Sequence, residues 1–296
     1  MIKFGISLSS YSQTPTISTL PKMLDIIEKL QVKYVELNDV EYLFSCGLLN
    51  KPMLHEIKNI ASSYPCHFTV HSPYALDLRQ NKREKIQLQL FKSMIDLTHL
   101  LNEEKQIKNY QEFPYGLCVV HYSKKSNEYH IEKRYENLLL QMADYATQAG
   151  VLIAIENNDN ERISPLVDML TKLNHPNLKM TMDFGHAFLA AEYLGENFLD
   201  NIKLSLPFMR HIHLHDNFGI VDFEKYKGQK RDSLMIRTQL GVGDLHLPVG
   251  WGKIPYKQIG DIIRNDYKGI YMIENDVMSL NSSLLLEIKE TVTELF

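Results

Sequence analysis

Cysteine is scarce in this chain of 296 residues: there are three, Cys46, Cys66 and Cys118. Their number is odd and none is spaced as CxxC, which argues against a disulfide framework and makes a reducing, cytoplasmic setting the default. Cys66 and Cys118 open strand-like runs and read as core thiols. No apolar run is long enough to span a membrane. The start, MIKFGISLSS, enters a strand pattern at once and lacks the form of a secretory signal. An excess of positive charge is also missing, with 32 Lys and Arg against 36 Asp and Glu. Proteins that live on phosphate backbones usually carry a basic face, because Lys and Arg release counterions there. Nucleic acid is therefore a disfavoured partner, although bound metal ions add positive charge to a site. Linkers and low-complexity segments are absent as well, so a single domain over 1–296 is expected.

What is present is alternation. Strand signals read KFGISLS (3–9), KYVELN (33–38), HFTVHS (67–72), LCVVHYS (117–123), LIAIENN (152–158), KMTMDFG (179–185), RHIHLHD (210–216) and GIYMIEN (269–275). Amphipathic helical patterns lie between them at 20–30, 83–101, 131–150, 164–173, 196–206, 257–265 and 283–296, and Gly150 is a good helix stop. Eight strands alternating with helices have the sequence form of an α/β fold closed as a (β/α)8 barrel. A doubly wound open sheet is the alternative; it would place ligands at one crevice only.

The strand ends carry the chemistry. Apolar runs terminate in His71, His121, Glu156, Asp183 with His186, His213 and Glu274. Period-two alternation puts Thr69 with His71, Val119 with His121, Ala154 with Glu156 and Met272 with Glu274 on one face, and the flanking Ile and Val residues on the other. Each ligand type then points into the barrel at its C-terminal mouth. A single histidine at a strand end reads more often as a hydrogen-bonded core residue than as a ligand. Six consecutive strands that all end in imidazole or carboxylate suggest a metal centre. His211, His213 and His215 share one face of strand seven, and only the one at the right depth can ligate. Glu36, at the end of strand two, reads equally as a substrate contact, a helix-cap partner or a ligand. His55, His67, His99, His130 and His175 read as structural.

One connection, 217–256, is long enough to suggest a functional or mobile segment. It holds Asp244 and His246, which form D-x-H; on an extended loop, ligands one residue apart face the same side and can share an ion. The only tryptophan, Trp251, follows between two glycines. Residues 220–240 carry charge and little periodic apolar pattern, and a lid over the mouth is expected there.

These residues resemble the xylose isomerase-like TIM barrels, a superfamily that includes endonuclease IV and many sugar isomerases and epimerases. The resemblance runs through HSPY (71–74), VVHYS (119–123), IENN (155–158), MDFGHAF (182–188), HLHD (213–216), DLHLPVGWG (244–252) and IEN (273–275). It implies two or three divalent ions, zinc or manganese. His71, His121 and Glu156 would hold one, Glu156, Asp183, His213 and Glu274 a second, and His186, Asp244 and His246 a third. It further implies Glu156 and Glu274 as an acid/base pair, and Tyr74 matches a tyrosine that would lie near a DNA lesion; Glu36, Tyr74, His215 and Trp251 are expected as substrate contacts. The leading expectation is a metal-dependent isomerase or epimerase of a small sugar, sugar phosphate or polyol. The endonuclease pattern departs here. DNFG (216–219) lacks a lysine, the loop after strand two is the nearly uncharged EYLFSCGLLN (41–50), and Ala75 replaces a bulky residue. A phosphodiester or abasic-site endonuclease is therefore the second reading. The epimerase pattern departs as well, because no arginine follows the strand-seven histidine. A metal-bearing barrel without turnover is the third reading, and the intact pair of glutamates argues against it.

Overall fold

A computed structural model describes residues 2–8, 19–38, 51–105, 116–123, 125–222, 234–275 and 282–296. Cys46 and the 41–50 loop lie outside these residues, as does 223–233, most of the expected lid. The strands are β1 (Lys3–Ser7), β2 (Tyr34–Leu37), β3 (His67–His71), β4 (Leu117–His121), β5 (Leu152–Glu156), β6 (Leu178–Asp183), β7 (Met209–Leu214) and β8 (Ile270–Ile273). All pairings are parallel and follow chain order, and β1 closes on β8, so the sheet is a closed eight-stranded barrel. The open-sheet alternative is thereby excluded.

The helices are α1 (Leu20–Lys29), α2 (Lys51–Ser62), α3 (Glu84–Asn102), α4 (Tyr129–Ala149), α5 (Ser164–Leu173), α6 (Phe184–Leu194), α7 (Phe198–Ser205), α8 (Leu234–Leu240), α9 (Tyr256–Ile263) and α10 (Ser282–Leu295). Three of them, α2, α6 and α8, lie outside the helical patterns read from the sequence. The α6 case has a local cause. Asp183 ends β6 and also caps α6, its side chain accepting from His186 N–H at 2.7 Å, so the chain passes from strand to helix with no loop. The reading that carried strand six to Gly185 ran two residues too far. Gly150 closes α4 in the left-handed conformation, as the helix-stop reading requires.

Two apolar layers follow from the alternation. Leu117, Val119, Leu152 and Ala154 form one cluster inside the barrel and Tyr34, Ile270 and Met272 another. Ile153, Ile155, Val120, Ile212 and Leu214 belong to the larger core between sheet and helices. Cys66 and Cys118 are buried, unpaired thiols, as expected. Residue pairing between β6 and β7 skips Arg210: Met180 pairs with Met209, but Thr181 pairs with His211 and Asp183 with His213. A one-residue shift moves the following side chains to the other face. This irregularity therefore sets His211 and His213 inside the barrel beside Thr181 and Asp183. Among the described residues no helix is long and apolar enough to cross a membrane.

Candidate metal centre

The nine residues expected to ligate metal converge at the C-terminal ends of the strands in three clusters, each with its donor atoms within 4.8 Å of one another. In the first, His71 Nε2 lies 3.0 Å and His121 Nε2 3.5 Å from Glu156 Oε2. In the second, His213 Nδ1 faces Glu274 Oε2 at 3.0 Å, Glu156 Oε1 at 3.1 Å and Asp183 Oδ2 at 3.6 Å. Glu156 thus turns one oxygen to each of these clusters. In the third, Asp244 Oδ2 stands 2.9 Å from His246 Nε2 and 3.3 Å from His186 Nε2, and His215 joins them. His246 reaches this position from a backbone φ of 48°, in the left-handed region. That conformation is costly for a residue with a side chain.

A deeper layer supports these clusters. Glu36 has no exposed surface, and its Oε1 accepts from His213 Nε2–H at 2.9 Å. His211, equally buried, lies 3.4 Å from the other Glu36 oxygen. Glu36 and His215, expected from the sequence as substrate contacts, are both fully enclosed, as are Asp183 and His213. Tyr74 and Trp251 do reach the surface, and the Tyr74 ring stacks on His121 with centroids 4.5 Å apart. Asn38, which the sequence reading passed over, donates from Nδ2 to Glu274 Oε1 at 3.1 Å. Its signal was the one that marked the ligands, a polar residue closing an apolar run. Asn157 ties β5 to β6 by donating to the Asp183 carbonyl at 3.0 Å and accepting from Asp183 N–H at 2.9 Å.

Burial alone would push these carboxyls up and these imidazoles down. The charges they present to one another reverse both. His213 and His71 hold Glu156 well below the usual carboxylate range, and His213 holds Glu274 down. Their carboxylates in turn raise His213 well above its ordinary value, as Asp183 and Asp244 do for His186. Burial wins at His121 and at His211, each pulled down to about 4. The site is thus a buried set of opposed charges whose protons balance the carboxylates, a balance that a divalent cation can supply instead.

The donors fit such an ion. Among the described residues, His215 Nδ1 and Asp244 Oδ1 are buried without a hydrogen-bond partner, although they face each other at 3.6 Å. Leaving a buried polar atom unpaired costs roughly 1–3 kcal/mol, and a cation between these two satisfies both. Mixed imidazole and carboxylate donors suit zinc or manganese.

The model of the family described as xylose isomerase-like TIM barrel matches residues 24–289. No curated protein matches the chain by sequence. Among solved structures, the IolI protein with a bound zinc atom superposes with a TM-score of 0.71 at 15% identity, covering 100% of this chain and 99% of that one. A D-psicose 3-epimerase from Clostridium cellulolyticum H10, crystallised with D-tagatose, gives 0.69 at 14% identity with 99% of each chain covered. A D-tagatose 3-epimerase-like protein gives 0.68 at 20% identity, again with 99% of each covered. At these identities the superpositions speak for the fold.

Proposed function

The chain belongs to the xylose isomerase-like TIM barrel family, and from that premise we propose that it is a divalent-metal-dependent isomerase or epimerase of a small sugar, sugar phosphate or polyol. One observation carries the reading: Glu156 and Glu274, from different strands, converge on the same buried His213 nitrogen at 3.1 and 3.0 Å. Two carboxylates on one centre are what proton removal and return at a carbon beside a carbonyl require. Glu156, Asp183, His213 and Glu274 would hold a divalent ion, which would supply Lewis acidity toward that carbonyl. One glutamate takes the proton from carbon, and the electron pair of the broken C–H bond moves toward the carbonyl. For epimerisation the other glutamate, entering the step protonated, gives its proton to the opposite face as the electron pair returns to carbon. For isomerisation a proton goes to the neighbouring carbon, while the hydroxyl on the carbon that was deprotonated passes its own proton to the former carbonyl oxygen. The exposed rings of Tyr74 and Trp251 offer flat apolar faces to the substrate. The relatives named for tagatose and psicose epimerisation support the substrate class.

A second reading rests on the divided allegiance of Glu156. Its Oε2 serves His71 at 3.0 Å while its Oε1 serves His213 at 3.1 Å. A carboxylate shared by two ions suits two-metal hydrolysis of a phosphodiester. The deciding experiment assays metal-loaded protein against a panel of keto sugars and their phosphates, beside a duplex with an abasic site. Turnover of a keto sugar is expected, with Glu156→Gln and Glu274→Gln each lowering kcat by about 10²–10⁴-fold. Strand cleavage without sugar turnover would replace this reading with the hydrolytic one.

A further inference from the structure

We infer that His215 is a fourth protein ligand of the third cluster, so that His186, His215, Asp244 and His246 form a closed four-donor metal site. The resemblance implied three donors there. The inference rests on the reading that the barrel mouth holds divalent metal, and on no substrate.

The hydrogen bonds around the three imidazoles assign their nitrogens. His186 Nδ1–H donates to the Asn157 carbonyl at 3.1 Å, and His246 Nδ1–H to the Glu274 carbonyl at 3.1 Å. His215 Nε2–H donates to Asp183, 3.0 Å from Oδ2 and 3.1 Å from Oδ1. Each ring therefore spends one N–H on an acceptor outside the cluster and turns its other nitrogen to Asp244. A ring so held is in the tautomer that leaves a lone pair for metal. His246 and His186 face Asp244 Oδ2 at 2.9 and 3.3 Å, His215 faces Oδ1 at 3.6 Å, and one donor atom from each of the four residues lies within 4.8 Å of the others.

His215 is also built into place. A Cβ on Gly185 would lie 1.9 Å from His215 Cε1, so only glycine leaves room for the ring. Glycine inside a helix costs about 1 kcal/mol relative to alanine, and Gly185 sits in the first turn of α6, where the imidazole accounts for it. On its other side the ring stacks on His246, with centroids 4.0 Å apart and planes 1° from parallel. Tyr256 Oη–H donates to the His215 carbonyl at 2.5 Å. This fully buried ring is held by the glycine, its stacked partner and Asp183, yet among the described residues its Nδ1 has no hydrogen-bond partner.

Four protein donors leave no open position, the mark of a structural site. An ion there ties the loop bearing Asp244 and His246 to α6 through His186 and to the end of β7 through His215. Through His215 Nε2–H it also fixes Asp183, a ligand of the second cluster. The site then positions the catalytic centre without touching substrate.

The test is a zinc titration of full-length His215→Gln against a competing chelator, beside the wild-type protein. The glutamine amide reaches the Nε2 position and keeps a donor for Asp183, while the Nδ1 donor is lost. Loss of one tightly held zinc, with affinity at that site down more than 100-fold, is expected; losing a merely supporting contact costs about 10–100-fold. An unchanged count, or a fall within that smaller range, overturns the inference. If the variant fails to fold, wild-type crystals grown with zinc decide by anomalous diffraction. A peak about 2.1 Å from His215 Nδ1 is expected, and a peak on the other three donors but beyond about 3 Å from that atom overturns the assignment. A mouth that binds no zinc at all sinks the metal-centre reading itself, whereas a loaded mouth with His215 uncoordinated sinks only this inference.

Discussion

Glu36 commits both of its oxygens below the metal ligands: Oε2 accepts from Thr69 Oγ1 at 3.0 Å and Oε1 from His213 Nε2–H at 2.9 Å. The second bond holds the His213 ring with Nδ1 aimed at Glu156, Asp183 and Glu274. Replacing Glu36 with leucine removes that hold and leaves the buried His213 and His211 beside an apolar group. Metal affinity at the second cluster should fall about 10–100-fold, the usual cost of losing a contact that orients a ligand. Competitive titration with zinc or manganese measures it, and an unchanged affinity would reject the role. The candidate donors on the strands were legible in the sequence because each ends an apolar run, while Asp244 and His246 were read from their D-x-H spacing. Glu36, His211 and His215 sent the same signal with different consequences, because depth depends on register. Glu36 pairs with Thr69, two residues before His71, and His211 with Thr181, two before Asp183. Strand pairing places both one inward-facing step below the ligands, and no single strand's sequence records its neighbour's register.

At the scale of elements, the connections matter most. Arg79, in the turn between β3 and α3, makes two bonds to Glu132 of α4, from Nε at 2.7 Å and Nη2 at 2.8 Å, and a third to the Ser123 carbonyl. Its guanidinium also lies 3.7 Å from the Tyr135 ring centroid. This fork joins the loops that follow His71 and His121. Arg79→Ala should destabilise the protein by about 3 kcal/mol, since it leaves Glu132 partly buried and unpaired, and lysine should not restore a bidentate contact. Burial would raise the Glu132 carboxyl, but Arg79 outweighs it and holds the pKa below the ordinary 4.5. A lowered carboxylate pKa stabilises fully above the unfolded value and loses that effect as pH falls through the folded one. The gap between wild type and Arg79→Ala in urea unfolding should therefore be full at pH 7 and narrow below 4.5; a gap independent of pH would contradict the pairing. The strands and seven helical patterns were legible from periodicity. Helix α6 was not, because Asp183 serves strand, cap and cluster at once. In the long connection, Arg237 Nη1–H donates to the Asp244 carbonyl at 3.2 Å and Gly243 N–H to Ile220 at 2.7 Å. The described flanks of the expected lid thus lie against the third cluster.

For the molecule as a whole, charge and metal set the behaviour. With a formal net charge of -4, duplex DNA should bind weakly and lose affinity steeply with salt. Tight binding of an abasic duplex at physiological salt, measured by fluorescence anisotropy, would revive the hydrolytic reading. The barrel was legible because alternation repeats around all eight strands, and its closure through β1 and β8 is the one feature no segment carries alone. That closure gathers Glu36, Glu156, Asp183, Asp244 and Glu274 into one enclosed region, with His71, His186, His213 and His246 among them. Without cations the folded state must carry compensating protons or bear the repulsion of its carboxylates, and the unfolded chain suffers neither constraint. Ions that bind only the folded state stabilise it by about 4 kcal/mol each at a thousandfold excess over Kd. For a chain of this size 1 kcal/mol corresponds to about 2 °C in Tm, so each ion removed should lower Tm by roughly 8 °C. Calorimetry of protein treated with chelator, then restored with stepwise zinc or manganese, should show Tm rising in as many stages as there are clusters filled. A Tm indifferent to chelator and to added metal would mean that the opposed charges at the mouth are held by protons alone.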